Sequence, residues 1–292
     1  MSEKQSKLFS ELSVVQPFIS ITMKLATKQS HSQFAFIVSI PIAILGGLMG
    51  LGGAEFRLPI LAGPLGYSAR QVVPLNLAIS LITILISLLV RGKILSLSTV
   101  IPYGQVIIFL IIGAMIMAFI GASWAKHLSN EKLERIILVF LIIIGCALII
   151  EGCLPESLPA LVPPIPGLQI IVALSCGLII GLVSSVLGVA GGELIIPTLI
   201  FAFGVDIKIA GTSSLLISLP TVIVGLLRYH HQGSFINKEP LKETVLPMSL
   251  GSFIGAIIGA LLVGIIPSNL LKIVLGIILN IAALKVFLHS KA

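Results

Sequence analysis

Two short, similar elements carry the residues best suited to chemistry. The first is GGLMGLGGAEFRLPIL at 46–61, and the second is SSVLGVAGGELIIPTL at 184–199. Each ends an apolar run in small residues and then supplies one glutamate, Glu55 or Glu193, followed by apolar residues and a proline. Adjacent glycines break a helix and expose backbone groups. Inside a membrane such a break is tolerated only where protein or a water-filled cavity satisfies those groups, so each element is a candidate binding site.

The physics of these breaks favours an anionic ligand. A new helix is predicted to start near Ala54 and near Gly192, and its first N–H groups are unpaired at the positive end of its dipole. Small residues let a ligand approach those groups closely, whereas close helix packing is the competing role for the glycines. The predicted substrate-binding residues are Gly50, Gly52, Gly53, Glu55, Asn76, Gly188, Gly191, Gly192, Glu193, Thr212 and Ser213.

Glu55 and Glu193 are the carboxylates that lie well inside the apolar region. Ionisable residues within membranes are functional candidates, so both are candidates for proton coupling. A carboxylate at a helix N-terminus also stabilises the dipole of its own helix, which is the structural alternative. If the solute were a divalent cation, the same carboxylates would be its ligands.

Polar residues after the short elements form a second group of candidates. Pro74-Leu75-Asn76 aligns with Thr212-Ser213-Ser214, and each triplet is predicted to begin the next long helix. Thr212 or Ser213 could cap that helix or face the ligand. Arg57 has no basic counterpart in the second element, so it would either add an anion contact on one side or extend to the membrane interface.

The elements that position these residues are those of an all-α polytopic membrane protein. Of 292 residues, 57% are hydrophobic and 10% are charged, and the mean hydropathy is +1.18, whereas a soluble domain carries about 25% charge. Two shorter stretches, 54–66 and 192–204, are apolar but too short to cross the membrane comfortably, so each either crosses or re-enters. Runs of about the ~20 residues that span a bilayer fall near 34–51, 72–90, 100–122, 134–150, 168–187, 209–227, 244–264 and 270–288.

An internal repeat relates the two halves. At a shift of 138 residues, 46–80 matches 184–218 at nine positions without a gap, including three glycines, the glutamate and the proline. Each half has four long segments and one short one. If the short one crosses, there are five crossings; if the first segment and the short one form a re-entrant hairpin, there are three. Both counts are odd, so the halves must be inverted. The predicted units are an N-terminal segment at 1–33 whose 8–26 stretch could lie on the membrane surface, repeats at 34–150 and 168–292, and a Pro-rich connector at 151–167.

The loop charges predict the orientation in the cell membrane. With the N-terminus inside, most basic residues fall in inside connections, among them Arg70, Lys126 and Lys238, while Arg91, Lys93 and Lys208 fall outside. This bias favours a protein with both termini in the cytoplasm and an extracytoplasmic connector. The net charge of +7 is dispersed among loops, so it does not indicate nucleic-acid binding.

Several chemical classes are not supported by any motif. Cys146, Cys153 and Cys176 form no disulfide or zinc pattern. The chain has no phosphate-binding G-x-x-x-x-G-K-[ST] and no H-E-x-x-H. We therefore expect no cofactor, no metal site and no enzymatic activity.

The paired elements resemble those of the sulfite exporter TauE/SafE (TSUP) family of membrane permeases. The resemblance rests on Gly50-Leu-Gly52-Gly53 with Pro59, and on Gly188-Val-Ala190-Gly191-Gly192 with Pro197 and then Gly211-Thr212-Ser213. Two positions depart from the pattern, Ala190 in place of a glycine and Pro74-Leu75-Asn76 at the first polar helix start. The resemblance implies transport of small sulfur-containing anions such as sulfite or organosulfonates.

The sequence as a whole therefore predicts a secondary anion transporter. Export needs no pump, because a negative cell interior drives each elementary charge outward by about 2.3 kcal/mol per 100 mV. The alternatives are a permease for a divalent metal cation or another small metabolite, and a membrane assembly protein that transports nothing. The expected partners are a small anion and the lipid bilayer, and pairing as a homodimer stays open.

Overall fold

The structure is a computed structural model. It describes residues 31–94, 99–153 and 160–263, with residues 267, 273, 277 and 280. The predicted surface segment at 8–26 and most of the last apolar run, 270–288, lie outside the described residues.

The described residues form helices joined by short connections and contain no strand. The helices are α1 His31–Met49, α2 Ala54–Ala62, α3 Ala69–Ile94, α4 Gly104–Ala125, α5 Asn130–Cys153, α6 Pro166–Leu187, α7 Gly192–Pro197, α8 Ile207–His231 and α9 Leu246–Leu261. A 3₁₀ turn at Ile101–Tyr103 precedes α4, a π-helical segment at Thr198–Ala202 follows α7, and another at Leu241–Val245 precedes α9.

Among the described residues, six helical stretches are long and apolar enough to cross a membrane. Their outward positions carry large apolar side chains, such as Ile108 at 55% exposure and Ile179 at 62% exposure, which suits contact with lipid rather than water. The six are His31–Met49, Ala69–Ile94, Ile101–Ala125, Pro166–Leu187, Lys208–His231 and Leu241–Leu261. The chain is therefore a multi-pass membrane protein.

Helix α2 brings the chain back to the end where α1 starts. Gly53, just before α2, packs against Ile42, about half-way along α1. Past α2, the Tyr67 ring lies 6.4 Å from the ring of His31, the first residue of α1. Nine residues of α2 span only ~13 Å, so α1 and α2 form a hairpin and α2 is not a full crossing.

Helix α7 returns the chain in the same way from the other end. The amides of Leu161 and Val162, which precede α6, donate to the carbonyl oxygens of Phe201 and Ala202 at 2.9 and 3.0 Å. The ends of this second hairpin therefore lie together as well. The sequence left open whether the short segments cross or re-enter, and both turn back.

The remaining helices run alternately between two ends of the molecule. We call the basic end the one that holds His31, Tyr67–Arg70, the 126–130 loop and Gln232–Ser234. Arg70 there donates to the Leu128 carbonyl oxygen at 2.6 Å, and α8 ends beside the start of α3. The opposite end holds Lys93 and Ala160–Val162. The first hairpin starts from the basic end and the second from the opposite end.

Glycines set the closest helix crossings. A Cβ added at Gly113 of α4 would lie 2.5 Å from the Leu174 carbonyl oxygen of α6, and one at Gly251 of α9 would collide with the Phe36 carbonyl oxygen of α1. These two crossings are related by the 138-residue shift, since 113 becomes 251 and 36 becomes 174. Each half therefore packs its third long helix against the hairpin of the other half.

Three expectations about element boundaries were wrong. Helix α8 begins at Ile207, where the Asp206 side chain accepts the Lys208 amide at 2.9 Å, so Thr212 and Ser213 do not begin it. Asn76 likewise lies in the second turn of α3. The third error concerns Arg91, which is not in a loop. It lies inside α3 at 2% exposure, because its guanidinium reaches back to backbone carbonyls.

Candidate functional site

The two helix breaks lie in direct contact. A Cβ added at Gly192 would lie 2.8 Å from the Leu51 Cα atom and 3.2 Å from the Gly50 carbonyl oxygen. One added at Gly52 would lie 3.0 Å from the Cβ atom of Ala190, its own counterpart at the 138-residue shift. We call the region formed by 50–55 and 188–193 the junction.

Short helices start at the junction where the sequence predicted them, α2 at Ala54 and α7 at Gly192. The preceding residues, Gly53 and Gly191, have φ of +69° and +86°. Side chains other than glycine rarely adopt this left-handed conformation. Neither helix start has a side-chain cap, so the first N–H groups of both helices point into the junction without one.

The glycines that end α1 and α6 are required by packing. A Cβ at Gly188 would lie 2.6 Å from the Cα atom of Val73 in α3, and one at Gly50 would collide with the carbonyl oxygen of Gly211 in α8. Val73 and Gly211 are themselves counterparts at the 138-residue shift. Each break therefore rests on the helix that follows the other hairpin.

Asn76 connects both halves through its side chain. Its amide nitrogen donates to the Ala54 carbonyl oxygen at 2.8 Å and to the Gly188 carbonyl oxygen at 2.9 Å. Its counterpart, Ser214, donates to the Gly50 carbonyl oxygen. Both donor hydrogens of the Asn76 amide are therefore used within the protein.

Glu55 and Glu193 are buried at the junction, with 0% and 2% of their surface exposed. None of their four carboxylate oxygens has a hydrogen-bond partner. An ionised carboxylate without a partner is costly to bury, and a bound proton removes most of that cost.

Arg57 lies fully buried one turn along α2 from the break. Its Nε donates to Asn76 Oδ1 at 3.0 Å, and one terminal nitrogen donates to the Gly52 carbonyl oxygen at 2.9 Å and to Ser80 Oγ at 2.7 Å. The other terminal nitrogen donates to Thr83 Oγ1 at 3.2 Å and to a longer contact, Ser252 Oγ at 3.5 Å. Because Arg57 is fully buried, its guanidinium does not extend to the membrane interface. All of these acceptors are neutral, so no hydrogen-bonded carboxylate balances its positive charge.

The two predicted polar residues of α8 have different surroundings. Thr212 Oγ1 donates to the Lys208 carbonyl oxygen at 3.1 Å and accepts from Arg91 at 3.3 Å. Ser213 is fully buried, and its Oγ has no hydrogen-bond partner. Ser213 is therefore a free polar group beside the junction, and Thr212 is tied to α3.

Residues 31–94, 99–153 and 160–263 contain no group of three or more His, Cys, Asp or Glu side chains that could hold a metal ion. Glu55 and Glu193 supply two carboxylates, whereas a Ca²⁺ site uses about six to eight oxygen ligands. The groups that could act on a solute are two buried cations, Arg57 and Arg91, two buried carboxyls, the Ser213 hydroxyl and short backbone segments.

The family model described as sulfite exporter TauE/SafE matches residues 9–148 and 173–292. These residues are most of the chain. The chain belongs to this family. Neither a curated protein nor a solved structure matches it. The two matched regions hold one hairpin each, so the TauE/SafE match covers both sides of the junction.

In this TauE/SafE family member the sequence analysis missed the polar face of α3. This face consists of five polar residues at intervals of three and four, which places them on one side of a helix. They are Asn76, Ser80, Thr83, Ser87 and Arg91. All five are buried. That periodicity inside an apolar run was the available signal, because a lipid-facing surface would not retain five polar side chains.

Proposed function

We propose that the protein carries small sulfur oxyanions or organosulfonates across the membrane and that they bind at the junction. The supporting observation is the fully buried Arg57 guanidinium, which is surrounded by neutral oxygens within the same short element as Glu55. A positive charge placed in a membrane core favours an anion there. Family membership supports the sulfur-anion class, and the proposal makes the chain a transporter rather than an enzyme.

Buried charges beside the junction give a route to coupling. With Glu55 and Glu193 both protonated, the two buried cations next to the junction, Arg57 and Arg91, leave a net charge of +2. With both carboxyls ionised, the net charge is 0, and the attraction for an incoming anion is lost. Anion binding is therefore favoured with protons on the carboxyls, and the proposed transport moves anion and proton in the same direction.

The junction is closed in this conformation. Both carboxylates are buried, and the breaks touch through backbone atoms at Gly50, Leu51 and Gly192. A ligand can reach Arg57 only after the two hairpins move apart, which alternating access between inverted halves would provide. The glycines then have both of the roles considered from the sequence. They allow close packing while the junction is closed, and they let a ligand approach the backbone once the hairpins have separated.

We further propose that the basic end faces the cytoplasm. Among the described residues, that end holds Arg70, Lys126, Lys132, Lys238 and Lys242, while the opposite end holds Lys93 and Lys208. The asymmetry supports this orientation through the positive-inside rule. Both termini would then be cytoplasmic.

A cation permease is the second candidate, because two unpartnered carboxylates are also what a divalent cation would use. Arg57 opposes it. A divalent ion would have to bind close to a guanidinium that is itself without a carboxylate hydrogen-bond partner.

The decisive experiment is flux into proteoliposomes with an imposed proton gradient. The solutes offered are sulfite, thiosulfate, sulfate, methanesulfonate and manganese(II). We expect saturable flux of one of the sulfur anions, stimulated by a proton gradient in the same direction, and none of the metal. Arg57→Met should abolish it, Arg57→Lys should retain a fraction because the charge remains, and Lys238→Met, an exposed cation, should change nothing.

Saturable manganese flux that survives Arg57→Met would instead establish the cation permease. Anion flux that is equal in the wild type and Arg57→Met would show that the substrate does not bind at the junction.

A further inference from the structure

A cleft opens at the basic end, with Val73 in its lining. Its volume is about 90 Å³, and its walls include Arg70, Lys126, Gln232 and Ser234. None of the residues that line it is acidic. The cleft is therefore a water-accessible space with a positive lining, which attracts anions.

The floor of the cleft is part of the contact between the second break and its neighbours. Val73 lines the cleft, and its backbone is the surface on which Gly188 rests. Tyr229 also lines the cleft, and its hydroxyl donates to the Ser185 carbonyl oxygen at 2.8 Å. These two contacts lie between the cleft and the second break.

The opposite end has a different residue at the position that corresponds to Tyr229. A shift of 138 residues relates Tyr229 to Arg91 and Ser185 to Gly47. Arg91 donates to the Gly47 carbonyl oxygen at 3.1 Å, so the tyrosine contact is repeated with a guanidinium.

Arg91 does more than its counterpart. It also donates to the Leu48 carbonyl oxygen at 2.7 Å and to Thr212 Oγ1 at 3.3 Å, which joins the end of α1 to α8. It is 2% exposed, and its Nη1 would lie 3.0 Å from a Cβ at Gly211, the counterpart of Val73. The space that corresponds to the cleft floor is thus filled by this side chain.

We propose that the cleft at Arg70 and Lys126 is the entrance by which a small oxyanion reaches the junction, and that Arg91 is the latch that seals the opposite end. Either the two hydrogen bonds of Arg91 to α1 or its one hydrogen bond to Thr212 of α8 must break before the end of α1 can separate from α8. The inference rests on the proposed function for the identity of the anion. The latch itself does not depend on it.

The latch is tested by thiol labelling without any substrate. The background has Cys146, Cys153 and Cys176 replaced by serine, and the reporter is Ser213→Cys. Cysteine is similar in size to serine, and no hydrogen bond is lost because Ser213 Oγ has no partner. A charged, membrane-impermeant thiol reagent is added from the opposite end. With Arg91 intact we expect almost no reaction, and with Arg91→Ala a rate at least about tenfold higher, because three hydrogen bonds are lost.

Arg91→Gln and Lys93→Ala complete the latch test. Gln is shorter than Arg but keeps an amide donor near the position of Nε, so it should give an intermediate rate and serves if Arg91→Ala does not fold. Lys93 is an exposed cation two residues further along α3, and its removal should leave the rate unchanged. Equal labelling in the wild type, Arg91→Ala and Arg91→Gln, or an equal increase with Lys93→Ala, would overturn the latch.

The entrance is tested with Ser234→Cys, labelled from the basic end. Methanesulfonate should slow its reaction relative to chloride at equal ionic strength, and Lys126→Gln should reduce that protection several-fold. Lys132→Gln, at the same end but outside the cleft lining, should retain it. Protection that is absent, or the same in both variants, would overturn the entrance. If the proteoliposomes show no flux of any sulfur anion but thiol labelling still depends on Arg91, the proposed substrate is rejected and the latch is supported.

Discussion

Asn76 donates to the Gly188 carbonyl oxygen at 2.9 Å, and so ties the third helix of the first half to the helix break of the second. Ser214, at the corresponding position of the second half, donates to the Gly50 carbonyl oxygen in the break of the first. Each hairpin is therefore held by the other half, so neither break can shift without straining contacts across the junction.

The first prediction concerns Gly188. Gly188→Ala should lower the free energy of unfolding by more than ~2 kcal/mol, because the new Cβ would lie 2.6 Å from Val73 Cα and φ is +71°. Two controls separate these causes. Gly66 has φ of +69° with open space around it, so Gly66→Ala should cost only about 1–2 kcal/mol. Gly104→Ala has neither problem and should be neutral. Denaturant unfolding in bicelles measures all three, and equal losses at 66 and 188 would contradict the packing explanation.

The second prediction compares the two ties across the junction. Asn76→Ala leaves Arg57 Nε and the Gly188 carbonyl oxygen without these partners, at about 1–3 kcal/mol for each buried group. It also removes a second hydrogen bond from the Ala54 carbonyl oxygen, which is bonded within α2 as well. Ser214→Ala leaves only the Gly50 carbonyl oxygen. We expect Asn76→Ala to destabilise the protein by at least about 2 kcal/mol more than Ser214→Ala in the same unfolding assay. The reverse order would show that the contact at Gly50 dominates.

The third prediction is a pH dependence of transport. Methanesulfonate is the suitable solute because it stays an anion throughout, whereas sulfite itself takes up a proton near neutral pH. Wild-type uptake should rise as the pH on the solute side falls, since protonation of Glu55 and Glu193 leaves the positive charges of Arg57 and Arg91 unopposed. The glutamine side chains in Glu55→Gln and Glu193→Gln are uncharged at every pH. Each variant should therefore show a weaker dependence of uptake on pH, with rates closer to that of the wild type at acid pH.

Glu131→Gln is the matched control for this pH profile, because Glu131 is an exposed carboxylate in the first turn of α5. It should preserve the wild-type pH profile. If both junction variants also preserve that profile, the carboxyls do not couple proton movement to transport.

The fourth prediction concerns sidedness. Single cysteines at Ser68 and Ser234 lie at the basic end, and those at Lys93 and Ala160 lie at the opposite end, with all four positions exposed. In cells, an impermeant thiol reagent should label Lys93→Cys and Ala160→Cys from outside, and Ser68→Cys and Ser234→Cys only after permeabilisation. Labelling of Ser68→Cys and Ala160→Cys from the same side would contradict the arrangement of the two hairpins.

The membrane class, the approximate positions of the described helices and the two breaks were readable from the sequence, because each follows from local chemistry. Apolar runs of fixed length predict spanning helices whatever they pack against. Gly53 and Gly191 predict helix starts at Ala54 and Gly192, and both predictions are confirmed. The repeat was also visible, since the 138-residue shift is a property of the chain alone.

The positions of Arg57 and Arg91 could not be read in this way. Hydropathy treats an arginine near the end of an apolar run as a loop or interface residue, and only the acceptors around it show otherwise. Those acceptors come from distant parts of the chain, such as Ser252 for Arg57 and Gly47 for Arg91. Burying a guanidinium is tolerable only where such oxygens converge.

The sequence by itself thus determined which segments enter the membrane and where each of them breaks. Only the tertiary structure decided that α2 and α7 turn back, that the breaks meet, and that Asn76 is engaged in holding them together. The physical reason is that helix breaks and apolar lengths depend on neighbours along the chain, whereas the direction of a short helix and the partner of a buried polar group depend on which other helices surround it.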